Sequence, residues 1–142
     1  MKGNRVVKRA SALALTAIAI GGFTLATAGP ASADHEDGIQ EATEFGLYYN
    51  SGRGGCVLDL GAYDVTFSDN KYLDRPTYRN CPGEGQTVND NSASYWNRAS
   101  YNWYVWTDSY QEGTRGTLPA GYIGDATSTF KNEISSASYV IF

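Results

Sequence analysis

Few side chains in this sequence are equipped for chemistry. Cys56 and Cys81 are the only cysteines, His35 is the only histidine, and fifteen carboxylates are spread along the chain. Two cysteines allow a single intramolecular pairing, and in an oxidising compartment a disulfide is its default state. Closing that loop of about 25 residues contributes on the order of 3 kcal/mol by the chain-entropy account. A reactive pair would need Cys-x-x-Cys spacing or a basic neighbourhood that lowers a thiol pKa, and the sequence has neither. His35 lies close to the expected mature N-terminus, where chains fray, so a rigid Ser-His-Asp or Cys-His arrangement and a histidine-rich zinc site are both excluded. The carboxylate pairs Asp59 with Asp64 and Asp69 with Asp74 sit in turn-like surroundings and read as solvated loop charges. The chain is therefore expected not to be an enzyme.

The elements that must position these residues begin after an address. Lys2, Arg5, Lys8 and Arg9 precede an apolar stretch from Ala10 to Ala28, and Ala31-Ser32-Ala33 supplies the small residues of a cleavage site before Asp34. Ala26-Thr27-Ala28 is the weaker competing site. An uncleaved membrane anchor is the alternative, since a run of about 18 apolar residues can span a bilayer. Gly21, Gly22, Gly29, Pro30 and the cleavage triplet favour removal. Residues 1–33 are thus expected to be a secretory signal peptide, and the mature protein a secreted, extracellular monomer with no membrane attachment. Beyond residue 33 the chain holds all fifteen acidic residues but only seven of the eleven basic ones, a net charge of −8. Such a surface repels phosphate backbones and anionic lipid, which excludes nucleic acid as a partner.

From Asp34 to Glu44 the only large apolar residue is Ile39, which predicts an acidic flexible arm over residues 34–44. From Phe45 the texture changes to short runs rich in Tyr, Trp, Val and Thr, broken by Gly, Asn, Asp or Pro every 8 to 12 residues or so. That texture is all-β. In the run from Tyr101 to Thr107, residues 101, 103 and 105 share one face and 104 and 106 the other. Both faces carry bulk, as in the central strand of a sandwich. Two packed antiparallel sheets joined by Greek-key connections are the economical solution for one domain of this length.

An internal repeat sharpens the reading. Tyr48 precedes Gly55 by the same spacing as Trp106 precedes Gly113, and each segment reads as a strand entering a tight, folded hairpin. The glycine is needed there for a positive φ or for close packing under the aromatic ring. Each hairpin is followed by a serine-rich segment, Asn89 to Asn97 in the first unit and Lys131 to Tyr139 in the second. The first unit is longer between hairpin and serine segment, and the surplus falls around residues 63–88 with Cys81 inside it.

These residues resemble the two-motif βγ-crystallin fold. More narrowly, Val88-Asn89-Asp90-Asn91-Ser92-Ala93-Ser94-Tyr95-Trp96-Asn97-Arg98 resembles secreted actinobacterial proteins grouped as the peptidase inhibitor family of the Streptomyces metalloproteinase inhibitor. The resemblance covers roughly residues 45–140. It implies a βγ-crystallin-like sandwich of two Greek-key motifs over residues 45–142, motif one at about 45–98 and motif two at about 101–142. Calcium-binding relatives carry Asn/Asp, Asn/Asp, two variable residues, Ser/Thr and Ser in each motif, because calcium takes several hard oxygen ligands. Here the resemblance implies Asn89, Asp90, Asn132 and Ser135 as the candidate calcium ligands. Ala93 replaces the hydroxyl of the first segment and Lys131 the first residue of the second, so by the resemblance a site joining Asp90 to Ser135 could survive, whereas the other would lose a ligand and gain a positive charge. The competing and preferred reading is that these residues cap turns and pair buried backbone groups, with no cofactor required.

For function the resemblance implies a secreted inhibitor of extracellular proteases, of the metallo or serine class. An inhibitor of this kind presents a pre-ordered loop, so that little entropy is lost on binding. The best candidate is Leu73 to Pro82, restricted by two prolines and the expected disulfide, with Arg75, Pro76, Tyr78 and Arg79 on it and Tyr78 or Arg79 filling a specificity pocket. An ordinary connection is the plain alternative for the same loop. The alternative functions are a non-inhibitory crystallin-type module that binds calcium or cell-wall carbohydrate, the latter through Trp96, Trp103 and Trp106, or a secreted toxin.

Overall fold

The structure is a computed structural model that describes residues 35–74 and 80–141. The expected signal peptide and the loop residues Arg75, Pro76, Tyr78 and Arg79 lie outside the described residues. Among the described residues seven strands follow one another: β1 (Phe45–Asn50), β2 (Gly54–Leu60), β3 (Ser94–Asn97), β4 (Trp103–Trp106), β5 (Arg115–Leu118), β6 (Ile123–Asp125) and β7 (Ser136–Ser138). They form an antiparallel four-stranded sheet of order β2-β1-β3-β6 and a three-stranded sheet of order β5-β4-β7. Among the described residues no helix is long and apolar enough to cross a membrane.

The third strand of each motif crosses to the other motif's sheet. β6 of motif two pairs with β3 of motif one, Ser94 opposite Asp125 and Trp96 opposite Ile123. Reciprocally, Asp64 of motif one forms an antiparallel bridge with Ala137 of β7, with Asp64 N–H donating to Ala137 O at 2.9 Å and Ala137 N–H to Asp64 O at 3.0 Å. This exchange makes each sheet a joint product of both halves. Period-2 alternation then fills the interior: Phe45, Leu47, Leu58 and Leu60 from the first sheet meet Trp103, Val105, Leu118 and Ala137 from the second. Phe45 and Trp103 stack across the interface with ring centroids 4.8 Å apart. As the alternation in the sequence predicts, β4 is central in its sheet and buries bulk on both faces.

Within the surplus length of motif one, residues 71–72 pair with residues 85–87 as the base of a local hairpin. Lys71 bridges Thr87, Tyr72 N–H donates to Gln86 O at 3.0 Å, and Gly85 N–H donates to Tyr72 O at 2.8 Å. The disulfide between Cys56 and Cys81, with Cα atoms 5.1 Å apart, ties this hairpin to β2.

Residues 35–44 belong to the segment expected as an acidic flexible arm. They lie against β2 although they bring little apolar surface, because buried carboxylates hold their backbone. Asp59 accepts the N–H of Gly38 at 2.8 Å and of Asp37 at 3.2 Å, and Glu36 N–H donates to Asp59 O at 2.9 Å. Glu44, itself fully buried, accepts Glu41 N–H at 2.6 Å and contacts His35 Nδ1 at 2.9 Å.

Candidate functional site

The two serine-rich segments meet about a local two-fold. Asp90 N–H donates to Ile134 O at 3.0 Å and Asn132 N–H donates to Ser92 O at 2.9 Å, each from a residue with positive φ, 54° and 59°. Asn and Asp tolerate that conformation better than most side chains. Within this frame Ser135 Oγ donates to Asp90 Oδ1 at 2.9 Å and Asn89 Nδ2 donates to Asp90 Oδ2 at 2.8 Å. Asn89, Asp90 and Ser135 are therefore brought into one cluster, while Asn132 holds the matching place in the other motif.

That matching place differs in chemistry. It opens as a cleft of about 420 Å³ lined by Asn50, Ser51, Asn91, Ala93, Lys131 and Asn132 among others, and Lys131 Nζ reaches Ser51 Oγ at 3.4 Å. A methyl group and an ammonium stand where a hydroxyl and an amide stand on the other side. Asn89 turns its amide nitrogen, which is not a cation ligand, to Asp90, but the Asp90 carboxylate and the Ser135 hydroxyl are oxygen groups that suit a hard cation. The set around Lys131 does not, since its fixed positive charge repels one. Among the described residues no group of three or more His, Cys, Asp and Glu side chains could hold a metal.

Ser94 and Ser136 do a different job, for which the serine-rich segments were the visible signal. Ser94 Oγ donates to Asn50 O at 2.6 Å and accepts Arg53 N–H at 2.9 Å. Ser136 Oγ donates to Asp108 O at 2.8 Å and accepts Gln111 N–H at 3.3 Å. Each serine thus clamps the folded hairpin of its own motif, whose turn needs left-handed residues: Gly52, Arg53 and Gly55 in one, Tyr110, Gln111 and Gly113 in the other. For these two hydroxyls the turn-capping role holds.

The stems of the 73–82 loop are fastened from both sides. Tyr72 is fully buried and its hydroxyl contacts Ser92 Oγ at 2.8 Å and donates to Asn91 O at 3.1 Å. Burial holds that phenol above its ordinary pKa, so it stays protonated. On the other side, Cys81 is bonded to Cys56, and Cys56 N–H donates to Pro82 O at 2.9 Å.

A cleft of about 660 Å³ gathers carboxylates that the sequence scatters: Glu36, Asp59, Asp64 and Asp69 line it together with Asn70 and Lys71. Burial raises the pKa of Asp59 to about 7, with Glu44 and Asp37 adding to the rise and the Gly38 and Asp37 N–H groups opposing it. Asp64 is raised by burial and by Asp69, and Glu36 by burial and by Asp64 and Asp69. Asp59 has no exposed surface and its oxygens hold backbone N–H groups, so its carboxyl works as a structural clasp.

No protein-family model and no curated protein sequence matches this chain. Solved structures do. One described as tracing the evolution of the eye-lens βγ-crystallin domain fold aligns over 73% of this chain and 92% of its own, with 16% identity and a TM-score of 0.54. A βγ-crystallin from Ciona intestinalis aligns over 68% of this chain and 99% of its own, at 18% identity and a TM-score of 0.52. A βγ-crystallin from an archaeon aligns over 70% and 100%, at 19% identity and a TM-score of 0.50. With the reciprocal strand exchange and the two serine-clamped hairpins, these similarities identify the chain as an all-β protein of βγ-crystallin-like fold.

Proposed function

We propose that this protein is a secreted inhibitor of extracellular proteases, akin to the peptidase inhibitor family of the Streptomyces metalloproteinase inhibitor, which acts after removal of residues 1–33. The observation that carries the reading is the double fastening of the 73–82 loop, by buried Tyr72 on one stem and by the Cys56–Cys81 disulfide on the other. Fixed stems limit the ordering entropy that a loop loses when it enters a protease cleft. The proposed contact residues are Arg75, Pro76, Tyr78 and Arg79. The test is inhibition by the purified, oxidised protein of a panel of secreted metallo- and serine proteases, with intact mass measured afterwards. Stoichiometric inhibition with the chain uncut, or nicked once within 73–82, supports the reading, and Arg79→Ala or Tyr78→Ala then weakens it by about tenfold or more. No inhibition at micromolar concentration removes it for the proteases tested.

A second reading rests on the Asp90 cluster. In it the chain is a crystallin-type module that holds one calcium ion through Asp90, Ser135 and Asn89, with the Lys131 side silent. One carboxylate among neutral oxygens makes the affinity weak, on the order of 0.1–1 mM. Calorimetric titration with calcium checks it: one saturable site that Asp90→Asn abolishes supports it, and absence of heat up to about 10 mM calcium removes it.

A further inference from the structure

The outer face of the first sheet carries two guanidiniums on one indole. Trp96 lies on β3, Arg98 follows two residues later, and Arg53 arrives from the first hairpin turn beside Ser94, two residues before Trp96. Each guanidinium carbon is 4.7 Å from the centroid of the Trp96 ring. Both arginines are fixed at the backbone, Arg53 by its N–H on Ser94 Oγ and Arg98 by its N–H on Glu44 O at 2.9 Å. Arg98 also spends Nη1 on Gln40 O at 2.8 Å.

The neighbouring carboxylates are turned elsewhere. Asp125 accepts Gly52 N–H at 2.6 Å, and Glu44 is buried against His35 and Glu41. The His35–Glu44 contact is the only ion pair among the described residues, so in a chain rich in acid neither arginine meets a carboxylate there. Stacking on a π-face holds a guanidinium and leaves its edge N–H donors free for a planar, bidentate partner. Beside Arg53 a cleft of about 350 Å³ is lined by Ile39, Gln40, Tyr48, Gly52, Arg53 and Trp96.

We propose that Arg53 and Trp96, supported by Arg98, form a binding site for a carboxylate carried by an acidic peptide segment. The guanidinium fork matches a carboxylate in geometry and charge. Ile39 offers apolar surface to the side chain next to it. Apart from the guanidiniums, the polar side chains of the cleft are already committed: the Gln40 amide donates to Glu44 O at 3.2 Å and Trp96 O at 2.6 Å, and accepts Tyr48 Oη–H at 2.6 Å. The cleft therefore reads a charge beside an apolar side chain, which is a peptide's chemistry. The proposal is independent of the inhibitor reading, since it uses none of residues 73–82.

The test is an NMR titration of the ¹⁵N-labelled protein, following the indole N–H of Trp96 and the Nε–H of Arg53. The probes are acetyl-Leu-Glu-Glu-Leu-amide, its Gln-Gln counterpart, and free galacturonic acid. The acidic peptide is expected to give saturable shifts at both groups, with the Gln-Gln peptide about tenfold weaker or worse. Arg53→Gln is expected to remove the response while leaving the remaining spectrum in place, because Gln111 holds the matching left-handed position in the other hairpin with φ 62°. Arg53→Lys, which keeps the charge but not the fork, restores only part of it. The proposal is overturned by no saturable shift at about 10 mM peptide, by equal response to the Gln-Gln peptide, by survival of the response in Arg53→Gln, or by response to galacturonic acid alone.

Discussion

Asp59 accepts two backbone N–H groups from a segment with almost no apolar side chains, and this replaces hydrophobic packing as the means of docking residues 35–44. Its raised pKa, about 7 in the fold against about 4 in an unfolded chain, fixes a pH dependence. Between those values the native state keeps a proton that the unfolded state has lost, so stability falls as pH rises from about 4 to about 7 and levels off above it. Glu36 and Asp64, also raised, add to the same slope. Urea midpoints measured at pH 5 and pH 8 should therefore be higher at pH 5, and Asp59→Asn should shrink the difference; a midpoint that rises with pH contradicts the assignment. Ser94 offers a second case at this scale. Ser94→Ala leaves Asn50 O and Arg53 N–H without their partner and should cost about 1–3 kcal/mol, measured by urea denaturation. The clamp was legible as a serine at matching places in two repeats. The clasp was not, because nothing local in the sequence marks Asp59 as buried under a distant segment.

Hairpins and the inserted loop show what an element adds to its residues. Gly52 and Gly55 both have positive φ in the first folded hairpin, yet their surroundings differ. A Cβ on Gly52 meets nothing within 4 Å, whereas one on Gly55 lies 2.7 Å from Pro82 O, a backbone atom held by Cys56 N–H. Gly52→Ala should cost only the left-handed backbone penalty, about 1–2 kcal/mol, and Gly55→Ala clearly more, in the same denaturation experiment. Equal costs would show that the inserted hairpin yields freely. The aromatic-to-glycine spacing made both hairpins readable, since strand, turn and glycine are contiguous in sequence. The inserted hairpin was visible only as surplus length between matched repeats. Its anchors, Tyr72 on Ser92 and Cys81 on Cys56, join residues far apart in the chain, and only the cysteine pair could be named beforehand. The candidate calcium residues were legible as a pattern, yet the contact of Ser135 with Asp90 is made between motifs.

At the scale of the molecule, the exchange of third strands decides how the domain holds together. A four-stranded motif with its own sheet would be a candidate for independent folding, but neither half owns a complete sheet. Motif one lends residues around Asp64 to β7, and motif two lends β6 to β3. The stacked pair Phe45 and Trp103 likewise takes one ring from each motif. The Greek-key class could be inferred from strand count and turn spacing, while the exchange itself depends on pairings between residues such as Ser94 and Asp125 that no local pattern encodes. A fragment ending near Arg98 would expose the inner faces of β1 and β3 and lose β6 from its edge, a surface too large for so short a chain to hide. The oxidised protein should accordingly unfold in one transition, with intrinsic tryptophan fluorescence and far-UV circular dichroism tracing the same curve. All three tryptophans lie on β3 and β4, one strand in each sheet, so the fluorescence signal averages over both halves. Two separated transitions, or a folded fragment 35–98, would mean that the interior shared by the two motifs contributes less than each motif's own contacts.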